Sequence, residues 1–178
     1  DEVEDTERRS KKKLEELEEE LRRTATESKR TLEELKRRLE DEERRSRDAL
    51  RRLKEANLDE DKLRKVLEEH RKRSKELKER LEEDLRRHRK KSKELKDRAE
   101  EALKRHREES KRRLDERPDE EVKRRLERLN EEIEKLIRDI ERTNRELNKE
   151  LEDLIKEIED RNRKLNEDLR RLIDELRK

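Results

Sequence analysis

Apolar residues recur at intervals of three and four through almost the whole chain, which is the spacing of an amphipathic helix. Only two short stretches interrupt this pattern, one around Asn57 and one around Pro118. Asn57 can adopt the left-handed conformation that ends a helix, and Pro118 cannot continue one. Asp59 and Asp119 are suitable N-caps for the helices that follow. One domain, 1–178, is therefore predicted, with helices over about 2–56, 60–116 and 119–177.

Polar residues lie within the apolar stripes and recur every 18 residues. Eighteen residues make five turns at 3.6 residues per turn, so such a stripe follows an ideal helix without drifting around it. The predicted fold is all-α: a straight, elongated, antiparallel up-down-up three-helix bundle with an 18-residue repeat and weak supercoil. The recurring residues are Ser10, Ser28 and Ser46; His70, His88 and His106 with Ser74, Ser92 and Ser110; and Asn130, Asn148 and Asn166 with Asn144 and Asn162.

Residue numbers can test antiparallel packing, because facing positions on antiparallel neighbours have a constant sum. The two residue numbers of each Ser–His pair sum to 116, so the midpoint between them is Leu58. The two residue numbers of each His–Asn pair sum to 236, so the midpoint between them is Pro118. Both midpoints fall in the predicted loops. The predicted polar layers are Ser10–His106–Asn130, Ser28–His88–Asn148 and Ser46–His70–Asn166. A second set, one turn away, comprises Thr6–Ser110–Leu126, Thr24–Ser92–Asn144 and Glu42–Ser74–Asn162. Predicted apolar layers include Leu17–Ala99–Ile137, Leu35–Leu81–Ile155 and Leu53–Leu63–Ile173.

Each predicted polar layer contains the residue types of a hydrolase triad, in which Ser is the nucleophile, His the base and Asn the orienting group. A packed helical core offers no oxyanion donor, because helix-interior amides are already bonded. The histidines are about 27 Å apart along one helix, so they cannot share a metal ion. One His with Ser and Asn is also a poor zinc site. No enzyme activity, metal or cofactor is expected. The favoured interpretation is a buried hydrogen-bond network, in which neutral His, Asn and Ser each donate and accept.

Composition narrows the possible functions. Charged residues make up 65% of the chain, with 59 basic against 57 acidic residues, and aromatic residues, Gly, Cys and Met are absent. This usage is typical of long helices and coiled coils. The balanced charge gives no case for nucleic-acid binding. No apolar run approaches the length of a transmembrane helix, no targeting segment is expected, and the localisation stays unknown.

The repeated Ser/His/Asn layers, the Leu/Ile core, the Glu/Lys/Arg surface and the Asp-capped loops resemble de novo designed helical bundles with modular buried hydrogen-bond networks. The resemblance covers the whole chain and implies a scaffold without a natural substrate. Its histidine-network branch implies pH-driven disassembly, sometimes coupled to membrane disruption. Three alternatives stay open: a monomeric structural scaffold, a bundle that opens at low pH and interacts with lipid, and a homo-oligomer whose third helix faces a partner. The number of apolar residues suffices for about one three-helix core, which favours the monomer.

Overall fold

The computed structural model describes residues 1–57 and 59–178. The described residues form three α-helices and no strand, which confirms the predicted three-helix, all-α class. The helix bounds differ from the predicted ones by one residue at the end of the first helix and at the start of the third, within the usual fraying of helix ends. Leu58, the predicted midpoint of the Ser–His pairs, lies outside the described residues. The helices are α1 (Glu2–Glu55), α2 (Glu60–Glu116) and α3 (Glu120–Arg177).

Short polar side chains end and begin the helices at both breaks. Asn57 has a φ of 66°, the left-handed conformation that its small side chain tolerates. Asp59 accepts a hydrogen bond at Oδ1 from the backbone amide of Asp61 (3.0 Å), and Asp119 accepts one from Glu121 (2.9 Å). Each aspartate therefore satisfies one amide that the first helical turn leaves without an intrahelical partner.

The chain divides into two compact units, and each contains parts of all three helices. The first unit comprises Asp1–Ser28 and Arg87–Leu147, and the second comprises Lys29–Arg86 and Asn148–Lys178. The assignment of residues 1–178 to one domain stays a prediction.

The first unit packs around a single apolar cluster to which all three helices contribute. The residues predicted to form one layer, Leu17, Ala99 and Ile137, lie together in this cluster. Hydrogen bonds pair position 10 with 106 and position 28 with 88, so α1 and α2 run in opposite directions within this unit. The buried members of the cluster are Leu14, Leu17, Leu95, Ala99, Ile133, Leu136 and Ile140.

The second unit contains two apolar clusters. The predicted layer Leu35–Leu81–Ile155 lies in the larger cluster, where Leu35 and Leu81 are fully buried. The predicted layer of positions 53, 63 and 173 lies in the smaller cluster, near the first loop. Ion pairs join Lys78 to Glu159 (2.7 Å) and Arg177 to Glu60 (2.8 Å), so α2 and α3 also run in opposite directions within this unit.

Among the described residues, Leu176 is the one large apolar side chain that is exposed, at 38%. The Leu–Ile doublets of α3 are instead buried or partly buried against the clusters of their own unit. Within the same residues, no helix combines the length and the apolar character that crossing a membrane requires.

Replacing Leu81 by Ala should lower the free energy of unfolding by about 2–5 kcal/mol, because a fully buried leucine leaves a cavity that its neighbours fill only partly. Guanidinium unfolding followed by circular dichroism measures the change. Leu176→Ala is the matched control and should change the value by no more than about 0.5 kcal/mol, since this residue is exposed. Equal losses in the two variants would contradict the described core.

Candidate functional site

Three buried histidines on α2 each form a hydrogen bond with a serine on α1. Each bond joins the serine Oγ to the imidazole Nδ1 and pairs the positions that the residue numbers predict. The imidazoles lie among leucines because the 18-residue spacing keeps all three on the apolar stripe of α2. The distances are 2.7 Å for Ser10–His106, 3.3 Å for Ser28–His88 and 2.8 Å for Ser46–His70.

The second nitrogen of His106 faces the main chain of α3. Nε2 lies 2.9 Å from the carbonyl oxygen of Leu126, and Ser110 Oγ lies 3.4 Å from the same nitrogen. A carbonyl oxygen only accepts hydrogen bonds, so Nε2 carries the proton of the neutral ring. Nδ1 is then an acceptor, and the hydroxyl of Ser10 donates to it.

His70 reaches a side chain on α3 instead. Its Nε2 lies 2.9 Å from Oδ1 of Asn162 and 3.3 Å from Oγ of Ser74. The amide oxygen of Asn162 accepts, so Nε2 of His70 donates and the hydroxyl of Ser46 donates to Nδ1. Both nitrogens of this buried ring therefore have partners.

His88 occupies the least satisfied of the three networks. Its bond to Ser28 is the longest, and its buried Nε2 forms no hydrogen bond of normal geometry with the described residues. Burial lowers the pKa of His88, the backbone carbonyl of Asn144 partly offsets this, and Lys91 lowers it further.

The pKa of His70 is also lowered, chiefly by burial. Contacts with Asn162 and Glu42 act in the opposite direction, and Arg73 adds to the lowering. A lowered pKa means that the folded protein holds the ring neutral at pH 7, which is the form that its two hydrogen bonds require.

The structure departs from the predicted layers at the asparagines. Asn130 accepts from Arg107 Nε (3.2 Å), and Asn166 accepts from Arg71 Nε (3.4 Å), instead of meeting histidine. The imidazole is long enough to bridge two predicted layers. Its Nδ1 bonds to the serine of one layer, and its Nε2 bonds to the α3 residue of the layer one turn away. Both asparagines lie partly exposed at the edge of the stripe. Asn148 lies in the second unit and its predicted partner, His88, lies in the first, so the pairing of these two residues stays a prediction.

The second predicted set of polar residues is divided between networks and local bonds. Ser74 and Ser110 contact the histidine one turn earlier on α2. Thr6 is fully buried, but it donates to the carbonyl of Glu2 in its own helix (3.0 Å). Of the remaining members, Ser92 is buried, and the partly buried ones are Thr24, Asn144 and Asn162.

Glu42 is a functional candidate that the sequence-based layers did not connect to histidine. It is 9% exposed, and its Oε1 lies 3.6 Å from Nδ1 of His70 and 3.6 Å from Nη1 of Arg73. The repeat places Thr6 and Thr24 at the equivalent positions, so this acid breaks the repeat in one copy. This departure from the repeat is the sequence feature by which Glu42 could have been recognised.

The networks lack parts that catalysis would require. Each serine lies inside a helix, where backbone amides bond to carbonyls one turn earlier and do not stabilise an oxyanion. The described residues include no group of three or more His, Cys, Asp or Glu side chains that could hold a metal ion. The expectations of no enzyme activity and no cofactor stay predictions.

No protein-family model matches the chain, and no curated protein matches it. Among solved structures, a computationally designed three-helix bundle is similar to it, with 20% sequence identity and a TM-score of 0.45. The match covers 98% of this chain and 91% of that chain. The function proposed below depends on the residues of this chain alone.

His70 and His106 should both be in the Nε2–H tautomer at pH 8, because each directs Nε2 at an oxygen that only accepts. Long-range ¹H–¹⁵N correlation of the imidazoles measures the tautomer directly. Removing the donor of Nδ1 by Ser10→Ala should leave the His106 tautomer unchanged, since the carbonyl on α3 determines it. Mostly Nδ1–H rings in the parent protein would contradict the described networks.

Proposed function

We propose that this chain is a designed helical-bundle scaffold whose buried networks fix which residues of neighbouring helices face each other. The observation that carries the proposal is the Ser Oγ–His Nδ1 hydrogen bond, present in all three copies of the repeat. Leucine layers resemble one another, so apolar packing alone discriminates poorly between one alignment and another shifted by a turn. A polar partner at one defined position supplies that discrimination.

The cost of a shifted alignment supports this role. A one-turn shift in one direction would leave each Nδ1 without a donor, because it would place leucines opposite the imidazoles, at positions 14, 32 and 50. The opposite shift would bring threonine hydroxyls opposite two of the rings, so the networks disfavour it less strongly. A buried polar atom without a partner costs about 1–3 kcal/mol. Three copies would together disfavour the shifted alignment by several kcal/mol, comparable with the whole stability of an ordinary domain.

Replacing Ser10, Ser28 and Ser46 by Ala and the three histidines by Leu should therefore keep the helices but lose the unique alignment. Spin labels at two exposed positions of the second unit that lie far apart along the helix axis, Arg30 on α1 and Lys62 on α2, report the alignment as an electron–electron distance. The parent should give one narrow distance. The variant should give additional distances displaced by about 5.4 Å, the rise of one turn.

Thr26→Ala is the matched control, because Thr26 is exposed and its hydroxyl donates within its own helix. This variant should keep the single distance of the parent. A single unchanged distance in the six-residue variant as well would show that the short loops and leucines define the alignment without the networks, and the proposal would be wrong.

We further propose that the scaffold loses stability in mildly acidic solution. The proposal is supported by the burial of His70 and His88, which lowers the pKa of each imidazole from its ordinary value of 6.5. Between that value and the lower folded one, the unfolded chain binds more protons than the folded chain. The contribution of the neutral, buried histidines to the free energy of unfolding is therefore fully present above pH 6.5. It decreases as the pH falls below 6.5 and stops decreasing once the pH is below the folded pKa.

Lowering the pH from 7.4 to 5.0 should reduce the free energy of unfolding by about 1–3 kcal/mol. Two fully shifted groups would set a ceiling of about 4 kcal/mol, and the opposing contacts of Asn162, Glu42 and Asn144 reduce it. Guanidinium unfolding at both pH values measures the loss. A variant with Asn at positions 70, 88 and 106 should lose markedly less. Equal losses would assign the pH dependence to surface carboxylates.

A monomer is the proposed solution state, because the apolar stripe of α3 is buried within the chain and leaves only Leu176 exposed among large apolar residues described. Light scattering on the same samples at pH 7.4 should accordingly give the chain mass of 22.3 kDa. A discrete dimer or trimer would instead favour the homo-oligomer alternative.

A further inference from the structure

A cleft opens between α1 and α2 in the first unit, beside the network of His106. Its volume is about 350 Å³, at the lower end of the range of about 300–1,000 Å³ that small-molecule sites occupy. The cleft extends from the surface into the core, because its lining includes both the exposed Arg9 and the buried Ile133 of α3. It is therefore deep enough to hold a small ligand.

A small side chain keeps this cleft open. Ala102 lines it, whereas the equivalent positions of the other two repeats are Val66 and Asp84. One repeat further along α1, Glu27 and Lys91 form an ion pair between the two helices at 3.5 Å. The equivalent positions at the cleft are 9 and 109, which line it from opposite sides without forming an ion pair. The repeat containing residue 102 thus has an open cleft where larger or paired side chains stand in other copies.

Two of the basic side chains that line the cleft are already paired with carboxylates. Arg98 holds Glu20 through both of its terminal nitrogens, at 2.6 Å each. Arg105 pairs with Glu101, four residues earlier on its own helix, at 2.7 Å. These two pairs contribute little net charge to the cleft, because each combines one positive and one negative group.

The remaining Lys, Arg and acidic residues of the lining are Arg9, Lys13 and Glu109. Within the part of the chain that the structure describes, none of the three forms an ion pair. Arg9 and Lys13 are four residues apart on α1, so they are neighbours on one face of the helix, and both are exposed. Two cations and one carboxylate leave one net positive charge at the mouth of the cleft, which favours a ligand with a single negative charge.

We propose that this cleft binds a small aromatic monoanion, whose ring lies against the apolar inner lining and whose carboxylate or sulfonate lies beside Arg9 and Lys13. The inner lining includes the methyl group of Ala102 and the side chain of Ile133, which together provide an apolar surface for the ring. The guanidinium of Arg105 is on a side chain that is 74% exposed, and guanidinium groups stack on aromatic faces. Arg105 can therefore cover the outer face of a bound ring.

The polar groups deep in the cleft already have partners, which favours an apolar inner end of the ligand. Ser10 donates to Nδ1 of His106 at 2.7 Å, and Nε2 of the same ring donates to the carbonyl of Leu126 at 2.9 Å. A ring placed against these residues therefore leaves both hydrogen bonds intact. A ligand with a polar inner end would instead have to replace one of them.

Glu109 is the group that opposes an anion in the cleft. It is partly buried and lies on the α2 side, opposite the two cations of α1. The anionic group of the ligand is therefore expected on the α1 side, and the affinity is expected to be modest. Salt should weaken binding, because the cations at the mouth are exposed to solvent.

Fluorescence anisotropy of 2-naphthoate, titrated with the full chain at pH 7.5, should show saturable binding to one site. The chain contains no aromatic residue, so the protein adds no aromatic fluorescence of its own. Ala102→Leu should weaken binding by at least about tenfold, because the larger side chain fills the inner end of the cleft. Replacing Arg9 and Lys13 together by Gln should weaken it by about threefold to tenfold. The neutral analogue 2-naphthamide should bind the parent more weakly than 2-naphthoate.

Lys12→Gln is the matched control, because Lys12 is an exposed residue of α1 outside the cleft, and it should leave the affinity unchanged. Ala102→Val, which introduces the residue of another repeat, provides a second test should the leucine variant fold poorly by circular dichroism. Equal affinity in the parent and the position-102 variants would overturn the proposal, as would the absence of saturable binding. Equal affinity for 2-naphthoate and 2-naphthamide would overturn the assignment of an anion. None of these results affects the role of the networks in helix alignment, since that role requires no ligand.

Discussion

A buried neutral imidazole needs a donor on one side and an acceptor on the other, and this chain meets both needs at His70 and His106. The donor comes from a serine on α1, and for His70 and His106 the acceptor comes from α3. Each of these two rings therefore touches both other helices of its unit. Leucine layers supply the apolar burial that stabilises the units, but a leucine packs well against many apolar side chains. A buried imidazole instead requires a hydrogen-bond partner at a defined position.

Much of this could be predicted from the sequence, because breaks and repeats are local signals. Asn57 and Asp59 indicate where the chain turns, and an 18-residue spacing with a constant sum then identifies the serine that faces each histidine. The partners on α3 could not be predicted in the same way. Residue numbers locate Cα atoms, whereas the imidazole extends to the next level, where it meets Asn162 or the carbonyl of Leu126.

The three networks share a pattern but differ in surroundings. The α3 residue that faces Nε2 is Leu126, Asn144 or Asn162. On α1, Glu42 lies beside Nδ1 of His70, whereas the repeat has threonine at the two equivalent positions. Burial lowers the pKa of His70 and His88 alike, but the groups that oppose this differ between them. Near-identical repeats thus contain chemically distinct sites, because a buried polar group responds to each neighbour within a few ångströms.

The acceptor of His106 is a main-chain oxygen, and this affects how the network tolerates mutation. A substitution at Leu126 alters the side chain but keeps the carbonyl, as long as the helix persists. That oxygen can also accept the helical hydrogen bond of its own chain, since a carbonyl has two lone pairs. The contact at Asn162, in contrast, disappears with its amide. The acceptor of His106 therefore persists through side-chain substitutions at position 126, whereas one substitution at position 162 removes the acceptor of His70.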